Sequence, residues 1–341
     1  MKRYAILIMK VDFEHRQAAH CENGVTVNLL RFYGIDISEP MVFGIGSGFF
    51  FSHMLFLKVT GMAVTSFRVW PGVIFRRVTR RLGIKIKSRK FHDPDKAMQA
   101  LDNLLEKGIP VGMLVGVFHL PYFPKEYRFH FNAHNITVFG KEGDNYLVSD
   151  PVMEHIETLT SDELRKVRFA KGTVPPKGKM YYITGVPDKY DIKHAITSGI
   201  RKTADDMLNI PLHMFGIKGI RYLSGKMREW PNKLGDKSAA MNLGQVIRML
   251  EEIGTGGAGF RFIYAAFLQE SSEVLKMPVL DELSREMTEA GDKWREFAWK
   301  ASRCFKNRDN GEVTYDMLAD LLMDIASREE KIFRQLGKIS F

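Results

Sequence analysis

His20-Cys21-Glu22-Asn23-Gly24-Val25-Thr26-Val27-Asn28-Leu29-Leu30 is the stretch on which the reading of this chain turns. Val25, Leu29 and Leu30 recur at helical spacing and Gly34 stops the run, so a helix is expected to open at the cysteine. A thiol in a first helical turn lies at the positive end of the helix dipole, beside N–H groups that have no helical partner. Both effects favour the thiolate and lower the thiol pKa from its free value of about 8.5. Cys21 is therefore the candidate nucleophile. A buried, inert cysteine is the alternative that this stretch alone leaves open.

Upstream, the apolar run at 4–9 is too short for a secretory signal and is expected as a strand. Downstream, the longest apolar region, 41–59, is broken by Gly44-Ile45-Gly46-Ser47-Gly48 and contains His53 and Lys58. It is expected as a buried loop and strand, not a membrane span. Its glycines lack the GxGxxG spacing of a dinucleotide fingerprint. A short basic helix at 73–82 and a strand at 85–88 follow. Asp93-Pro94 then caps and opens a helix with Ala97, Leu101, Leu104 and Leu105 on one face, ending at Gly108. Residues 110–117 read as a buried strand.

The next stretch supplies partners for the thiol. Phe129-His130-Phe131-Asn132-Ala133-His134-Asn135-Ile136-Thr137-Val138-Phe139-Gly140 has strand character. Glu142-Gly143-Asp144-Asn145 is a turn, and Tyr146-Leu147-Val148-Ser149-Asp150-Pro151 completes a hairpin. His134 and Asp150 lie at comparable distances from the turn, which suits cross-strand neighbours. A cysteine at a helix start, a histidine on a strand and an aspartate at the end of the next strand are the parts of a papain-like triad, in the chain order of that class. The thiolate attacks a carbonyl, the imidazole shuttles protons and the carboxylate orients the imidazole. Taken singly, a histidine like His134 is more often a satisfied sheet histidine and an aspartate like Asp150 before proline more often a turn residue. Gln17 is a candidate oxyanion donor, although its separation from Cys21 is shorter than the usual papain spacing; the Cys21 backbone N–H is the other donor.

Ser161 is expected to cap a short helix through Lys171, and 180–186 to form a further strand. From Asp191 helical patterns dominate, over 192–208, 212–227, 239–253, 260–275, 279–305 and 315–336. The boundary is expected near Pro187-Asp188. The fold class is thus α+β: a papain-like catalytic domain at 1–188 and an all-α domain at 189–341 completing the substrate cleft.

The 341 residues are 45% hydrophobic and 26% charged, an ordinary globular profile. Two cysteines in a chain this long suggest a reducing compartment, so the expected location is the cytoplasm. His15, His20, Cys21, His130 and His134 offer neither CxxC nor a helical HxxxH, and no bound metal is expected. The formal net charge is +10. Basic residues cluster at 76–90 and again at 218–237, without any nucleic-acid-binding signature, so no nucleic-acid partner is expected. The alternative for both clusters is a solvated basic face.

A family resemblance rests on longer stretches. His20-Cys21-Glu22, Asn28-Leu29-Leu30-Arg31-Phe32-Tyr33-Gly34-Ile35, Ser38-Glu39-Pro40-Met41-Val42-Phe43-Gly44-Ile45-Gly46 and the hairpin from His134 to Pro151 resemble the N-terminal domain of the butirosin-biosynthesis H-protein family. Arg168-Phe169-Ala170-Lys171-Gly172, Phe215-Gly216-Ile217-Lys218-Gly219-Ile220 and Glu252-Ile253-Gly254-Thr255-Gly256-Gly257-Ala258-Gly259-Phe260-Arg261 are similar to the helical domain that often follows it. The resemblance implies a papain-like fold used for acyl transfer from an acyl carrier protein thioester to an amine, in secondary-metabolite or lipid biosynthesis. It implies Cys21 as nucleophile, His134 as base and Asp150 as orienter. Asn135 departs from the pattern, since relatives often carry an aromatic there. The donor it implies is a phosphopantetheine thioester, on a carrier protein or on CoA, with no other cofactor. The partners are an acidic acyl carrier protein docking on the basic clusters and a small-molecule amine, with no stable membrane insertion. The loop at 254–259, with Gly256 and Gly257, precedes a helix and is a candidate site for a pantetheine phosphate or substrate carboxylate assisted by Arg261; a linker permitting close packing is the alternative. Glu252 is a candidate for holding the acceptor amine. A papain-like cysteine peptidase or amidase and a non-catalytic carrier-protein-binding module are the competing functions.

Overall fold

A computed structural model describes residues 8–59, 61–253, 255–306 and 311–341. The strands are β1 Ile8–Lys10, β2 Phe49–Val59, β3 Met62–Arg68, β4 Lys85–Arg89, β5 Val111–Val115, β6 His134–Glu142, β7 Asn145–Ser149, β8 Glu157–Thr160 and β9 Met180–Gly185. The α-helices are α1 Cys21–Phe32, α2 Glu39–Ile45, α3 Val73–Arg81, α4 Pro94–Leu105, α5 Ser161–Arg168, α6 Ile192–Leu208, α7 Gly216–Leu234, α8 Asp236–Glu251, α9 Arg261–Leu275, α10 Pro278–Phe305 and α11 Tyr315–Lys338. The chain divides into two compact units, Met1–Glu39 with Leu82–Tyr190, and Pro40–Arg81 with Asp191–Phe341. These differ from the expected domains 1–188 and 189–341, because residues 40–81 pack with the helices and not with the sheet.

The first unit is a seven-stranded antiparallel sheet in the order β4-β9-β5-β6-β7-β8, with β1 also pairing to β6. Gly143 adopts a φ of 61° in the two-residue turn that joins β6 to β7, where Glu142 pairs with Asn145. One sheet face buries Met113, Val115, Ile136 and Val138 against Leu101 and Leu105 of α4 and Leu164 and Val167 of α5. Asp93 caps α4 by accepting from the N–H groups of Asp95 and Lys96. Thr160, one residue before the expected Ser161, caps α5 in a reciprocal box with Glu163. Side chains alternate along β6, so Asn135, Thr137 and Phe139 belong to its other face, where Phe13 stacks on Phe139 at 5.3 Å and also meets Phe32 of α1 at 5.9 Å. Helix α1 is buried without interruption from Cys21 to Leu30, which makes it the central helix of this unit.

The second unit is mostly helical but not all-α as expected: it contains the β2–β3 hairpin, and the region expected as loop opens with α2. Close approach of neighbouring elements explains Gly44, the glycine of α2. A Cβ on Gly44 would sit 2.0 Å from the Phe267 ring, and one on Gly199 of α6 would sit 2.5 Å from the Gly44 carbonyl oxygen. Helix α7 runs past the expected end at 227 and through Pro231, and ends at Gly235, whose φ is 75°. Residues 307–310, between the helices expected at 279–305 and 315–336, lie outside the described residues. Among the described residues no helix is long and apolar enough to cross a membrane.

Candidate active site

The helix that carries the thiol is fixed at both the backbone and side-chain level. His20 is its N-cap, with extended backbone and an Nδ1 that accepts the Asn23 N–H at 3.3 Å. The Glu39 carboxylate accepts from the N–H groups of Ala19 and His20, each at 2.9 Å, and from the Asn23 side chain at 3.4 Å. Upstream, Ala18 N–H donates to the Pro151 carbonyl at 2.7 Å. The His15 ring bridges Ser149 Oγ at 2.8 Å and the Met153 carbonyl at 3.2 Å. A Cβ on Gly24 would meet the Pro151 Cβ at 2.4 Å and the Ala18 Cβ at 2.7 Å. The missing side chain therefore lets α1 lie directly on the turn that follows Asp150.

That contact brings the three expected groups together. His134 Nε2 lies 2.7 Å from Asp150 Oδ2, with the carboxylate fully buried and His134 nearly so. Asp150 also accepts from the Tyr122 hydroxyl at 3.0 Å and, on its other oxygen, from the Val152 N–H at 3.2 Å. With Nε2 on the aspartate, Nδ1 is the ring nitrogen left for the sulfur. The Cys21 thiol is buried, and the His134 and His20 imidazoles are the groups that act on it electrostatically. The Asn135 amide nitrogen stands 3.9 Å from Sγ, while its oxygen accepts from the Tyr181 hydroxyl at 2.9 Å. His134 and Asn135 are successive residues pointing to opposite faces, so a sulfur in reach of both sits at the end of β6, not over either face.

The electrostatics follow from this packing. Burial pushes the Cys21 thiol up, but the His20 and His134 imidazoles outweigh it and hold the thiol well below its ordinary range. Burial also opposes the charge on His134, yet Asp150 and the sulfur raise it to about 10. Thiol and imidazole therefore rest as a coupled thiolate–imidazolium pair. Tyr122 is driven well above its ordinary value by burial and by Asp150, so it remains a donor to the carboxylate. Phe123 packs its ring edge-on to His134 at 5.4 Å. A charged nucleophile, a protonated acid and a fixed orienter are what attack on an acyl carbonyl needs.

Several residues of this site have no sequence signal of their own. Tyr122 and Phe123 lie in the connection between β5 and β6, and Glu39 is eighteen positions beyond Cys21. Only His20, adjacent to the thiol, and Gly24, on a buried helix, carry a local hint. Gln17 is exposed and forms no side-chain hydrogen bond among the described residues. His130 stacks on Phe118 at 4.1 Å, away from metal chemistry. Among the described residues no group of three or more His, Cys, Asp or Glu side chains is placed to hold a metal ion.

The residues expected to form an anion site belong to the second unit and do other work. Arg261 is fully buried, donates from Nε and Nη2 to both Glu329 oxygens at 2.8 and 2.9 Å, and from Nη1 to the Gly259 carbonyl at 2.8 Å. Its guanidinium lies 4.5 Å from the Phe49 ring centre and 4.8 Å from that of Trp294, whose indole N–H donates to Glu329 at 2.7 Å. Arg261 is a core residue, and its expected role at a phosphate is corrected accordingly. In the loop, Gly254 lies outside the described residues. Gly256 and Gly257 have φ of 65° and 86°, the Gly257 N–H donates to Thr255 Oγ1 at 3.1 Å, and the Ala258 N–H is taken by the Glu251 carboxylate at 3.3 Å. The chain's own carboxylate thus occupies the place expected for a ligand. Glu252 is exposed and pairs with Arg248 at 3.8 Å.

The basic clusters differ from their linear appearance. Arg77 donates to the Ser47 carbonyl at 3.0 Å, and Arg81 donates to Ser47 Oγ at 2.8 Å and to the Ile45 carbonyl. In the 218–237 cluster Arg221 pairs with Glu330, Arg228 with Asp316 and Asp320, and Lys226 and Lys233 with Glu229. By contrast Lys85, Lys87 and Arg89 are exposed on β4, the edge strand of the first unit's sheet.

Comparison with known proteins gives two family matches. Residues 20–151 match the family described as butirosin biosynthesis protein H, N-terminal. Residues 162–336 match a domain of unknown function, DUF4872. No curated protein matches the chain. Among solved structures, a candidate C39-like peptidase from Bacillus anthracis aligns with 13% identity over 52% of this chain and 99% of that one, at a TM-score of 0.35; a likeness this distant carries no argument. Within the first unit Cys21 opens a helix, His134 opens β6 and Asp150 directly follows β7. The chain belongs to the DUF4872 family, in which that domain here follows a butirosin biosynthesis protein H N-terminal domain.

Proposed function

We propose that the protein is a cysteine-dependent acyltransferase of a biosynthetic pathway, in which Cys21, His134 and Asp150 form the catalytic triad. The observation that carries this is the buried alignment of Cys21, His134 and Asp150, with the imidazole charged between sulfur and carboxylate. The Cys21 thiolate attacks the carbonyl of a phosphopantetheine thioester, on an acyl carrier protein or on CoA. A C–Sγ bond forms, the donor C–S bond breaks, and the His134 imidazolium gives its proton to the departing thiol. Neutral His134 then takes a proton from the small-molecule amine as its nitrogen attacks the acyl-cysteine. The C–N bond forms, Sγ leaves as thiolate, and the starting pair is restored. Asp150 keeps Nε2 engaged throughout, so Nδ1 alone handles the moving proton. General acid–base help of this kind contributes about 10² to 10⁴-fold.

The match of residues 20–151 to a domain described from butirosin biosynthesis supports transfer over hydrolysis. The exposed Lys85, Lys87 and Arg89 on the β4 edge offer an acidic carrier protein a complementary surface. Both cysteines are free, in keeping with a reducing, cytoplasmic setting for a reactive thiol. The test is intact-protein mass spectrometry with an acyl thioester donor. Wild type is expected to gain one acyl mass that an amine removes, and Cys21→Ala to gain none. An adduct on the alanine variant removes Cys21 from the mechanism, and loss of the acyl group to water at the same rate with and without amine replaces transfer by hydrolysis.

A further inference from the structure

The catalytic cycle uses the face of β6 that carries His134 and leaves a second buried polar chain on the other face. Asn135 is 1% exposed, and its amide is held on two sides. One amide N–H donates to the Ala133 carbonyl at 3.3 Å, and the amide oxygen accepts from the Tyr181 hydroxyl at 2.9 Å. A flipped amide would set its oxygen against the Ala133 carbonyl, acceptor against acceptor. The nitrogen is therefore the atom that faces Cys21, and it stands 3.9 Å from Sγ, in the longer range that a large sulfur acceptor sets. Tyr181 lies on β9 and Asn135 on β6, with β5 between them. The hydroxyl reaches across because β5 carries Gly112 opposite Tyr181, where a Cβ would sit 2.3 Å from the tyrosine ring. Gly112 has no positive φ, so the ring and not the backbone excludes a side chain there.

We propose that Asn135 is a positioning residue for the nucleophile: anchored by Ala133 and, across Gly112, by Tyr181, its amide presents a fixed N–H to the Cys21 sulfur from the sheet face opposite His134. The inference rests on the reading of Cys21 as nucleophile. It answers a need of that chemistry. His134 gives its proton to the donor's departing thiol and regains one from the amine, so its charge is absent while the acyl-cysteine waits. An amide does not titrate with that exchange, and its N–H is in place when charge returns to Sγ as the product leaves. A hydrogen bond to the charged form of a group favours that form. The titratable side chains about the sulfur are His134 with Asp150 behind it, His20 and Glu22 on either side in the chain, and Tyr181 behind the amide. Asn135 is the neutral donor among them.

Asn135→Leu combined with Tyr181→Phe removes the amide and the hydroxyl together, so neither is left buried without the other. The pH dependence of Cys21 alkylation by iodoacetamide reports the thiolate directly, with Cys21→Ala as the blank for Cys304. The double variant is expected to move the midpoint of that profile upward by about one pH unit, toward the ordinary thiol range. Tyr181→Phe alone keeps the ring over Gly112 and releases the amide on one side, and it is expected to move the midpoint in the same direction by less. A double variant with the wild-type profile overturns the inference, whatever its melting temperature. If the double variant does not fold, Tyr181→Phe decides: an upward shift supports the inference and an unchanged profile overturns it. If the profiles shift as expected but no acyl thioester ever acylates the wild-type protein, the role of Asn135 stands and the acyl-transfer reading falls.

Discussion

The buried Cys21–His134 pair ties catalysis and stability to pH through two opposite shifts. His134 is raised, so its contribution is full below its unfolded pKa of about 6.5 and is lost as pH rises through about 10. Cys21 is lowered, so its contribution is full above about 8.5 and is lost as pH falls through its folded value. Between about 6.5 and 8.5 folded and unfolded chains hold the same number of protons on the pair, one on nitrogen or one on sulfur, and the two slopes cancel. The pair's contribution is therefore flat near neutrality and declines on both sides. Urea midpoints at pH 5, 7.5 and 9.5 test this: the advantage of wild type over a variant carrying both Cys21→Ala and His134→Ala should be largest at pH 7.5 and smaller at both ends. An advantage that grows toward pH 9.5 contradicts the raised His134.

At the scale of elements, the active site depends on how closely α1 lies on the turn after β7. Gly24 is within a helix, where alanine ordinarily gains about 1 kcal/mol over glycine. Here the added methyl meets Pro151 and Ala18 at 2.4 and 2.7 Å, and overpacking of this kind costs about 1–3 kcal/mol. The steric term wins. Gly24→Ala is expected to lower the denaturant midpoint and, by moving the helix off the Asp150-Pro151 turn, to slow Cys21 acylation by more than the loss of folded protein accounts for. A more stable, fully active variant shows that the contact is dispensable. The β6–β7 hairpin was readable because Gly143-Asp144 flanked by apolar alternation has few other solutions. Helix α2 was not readable, because Met41-Val42-Phe43-Gly44-Ile45 is apolar all round and its glycine suggests a bend; only the Phe267 ring and the α6 backbone reveal why that glycine sits in a helix.

For the molecule as a whole, the second unit is organised around one buried ion pair. Arg261 and Glu329 saturate each other and are sandwiched among Phe49, Phe67 and Trp294. Removing one partner strands a charge in the interior, which costs about 3–5 kcal/mol. Arg261→Ala is expected to unfold at much lower denaturant, whereas Glu252→Ala, which cuts only an exposed pair, is expected to stay within about 0.5 kcal/mol of wild type. Equal stabilities for the two variants, measured by denaturant titration, contradict the core assignment of Arg261. In sequence, Arg261 after a glycine loop looked like an anion ligand because nothing local distinguishes a guanidinium facing a phosphate from one facing a glutamate 68 residues later.

Local chemistry wrote much of this protein into its sequence. A helix start, a strand and a two-residue turn are short-range patterns, and they placed Cys21, His134 and Asp150 on elements from which they converge. The helical character of the second half is likewise a matter of periodicity. Tertiary structure alone decided which segments share a core, since burial is a property of partners distant in the chain: residues 40–81 joined the helices, Glu39 took the N–H groups ahead of the cysteine, and Tyr122 came to the aspartate. It also decided the charge states, because a thiol, an imidazole and a carboxylate shift one another's protons only once packing has removed the water between them.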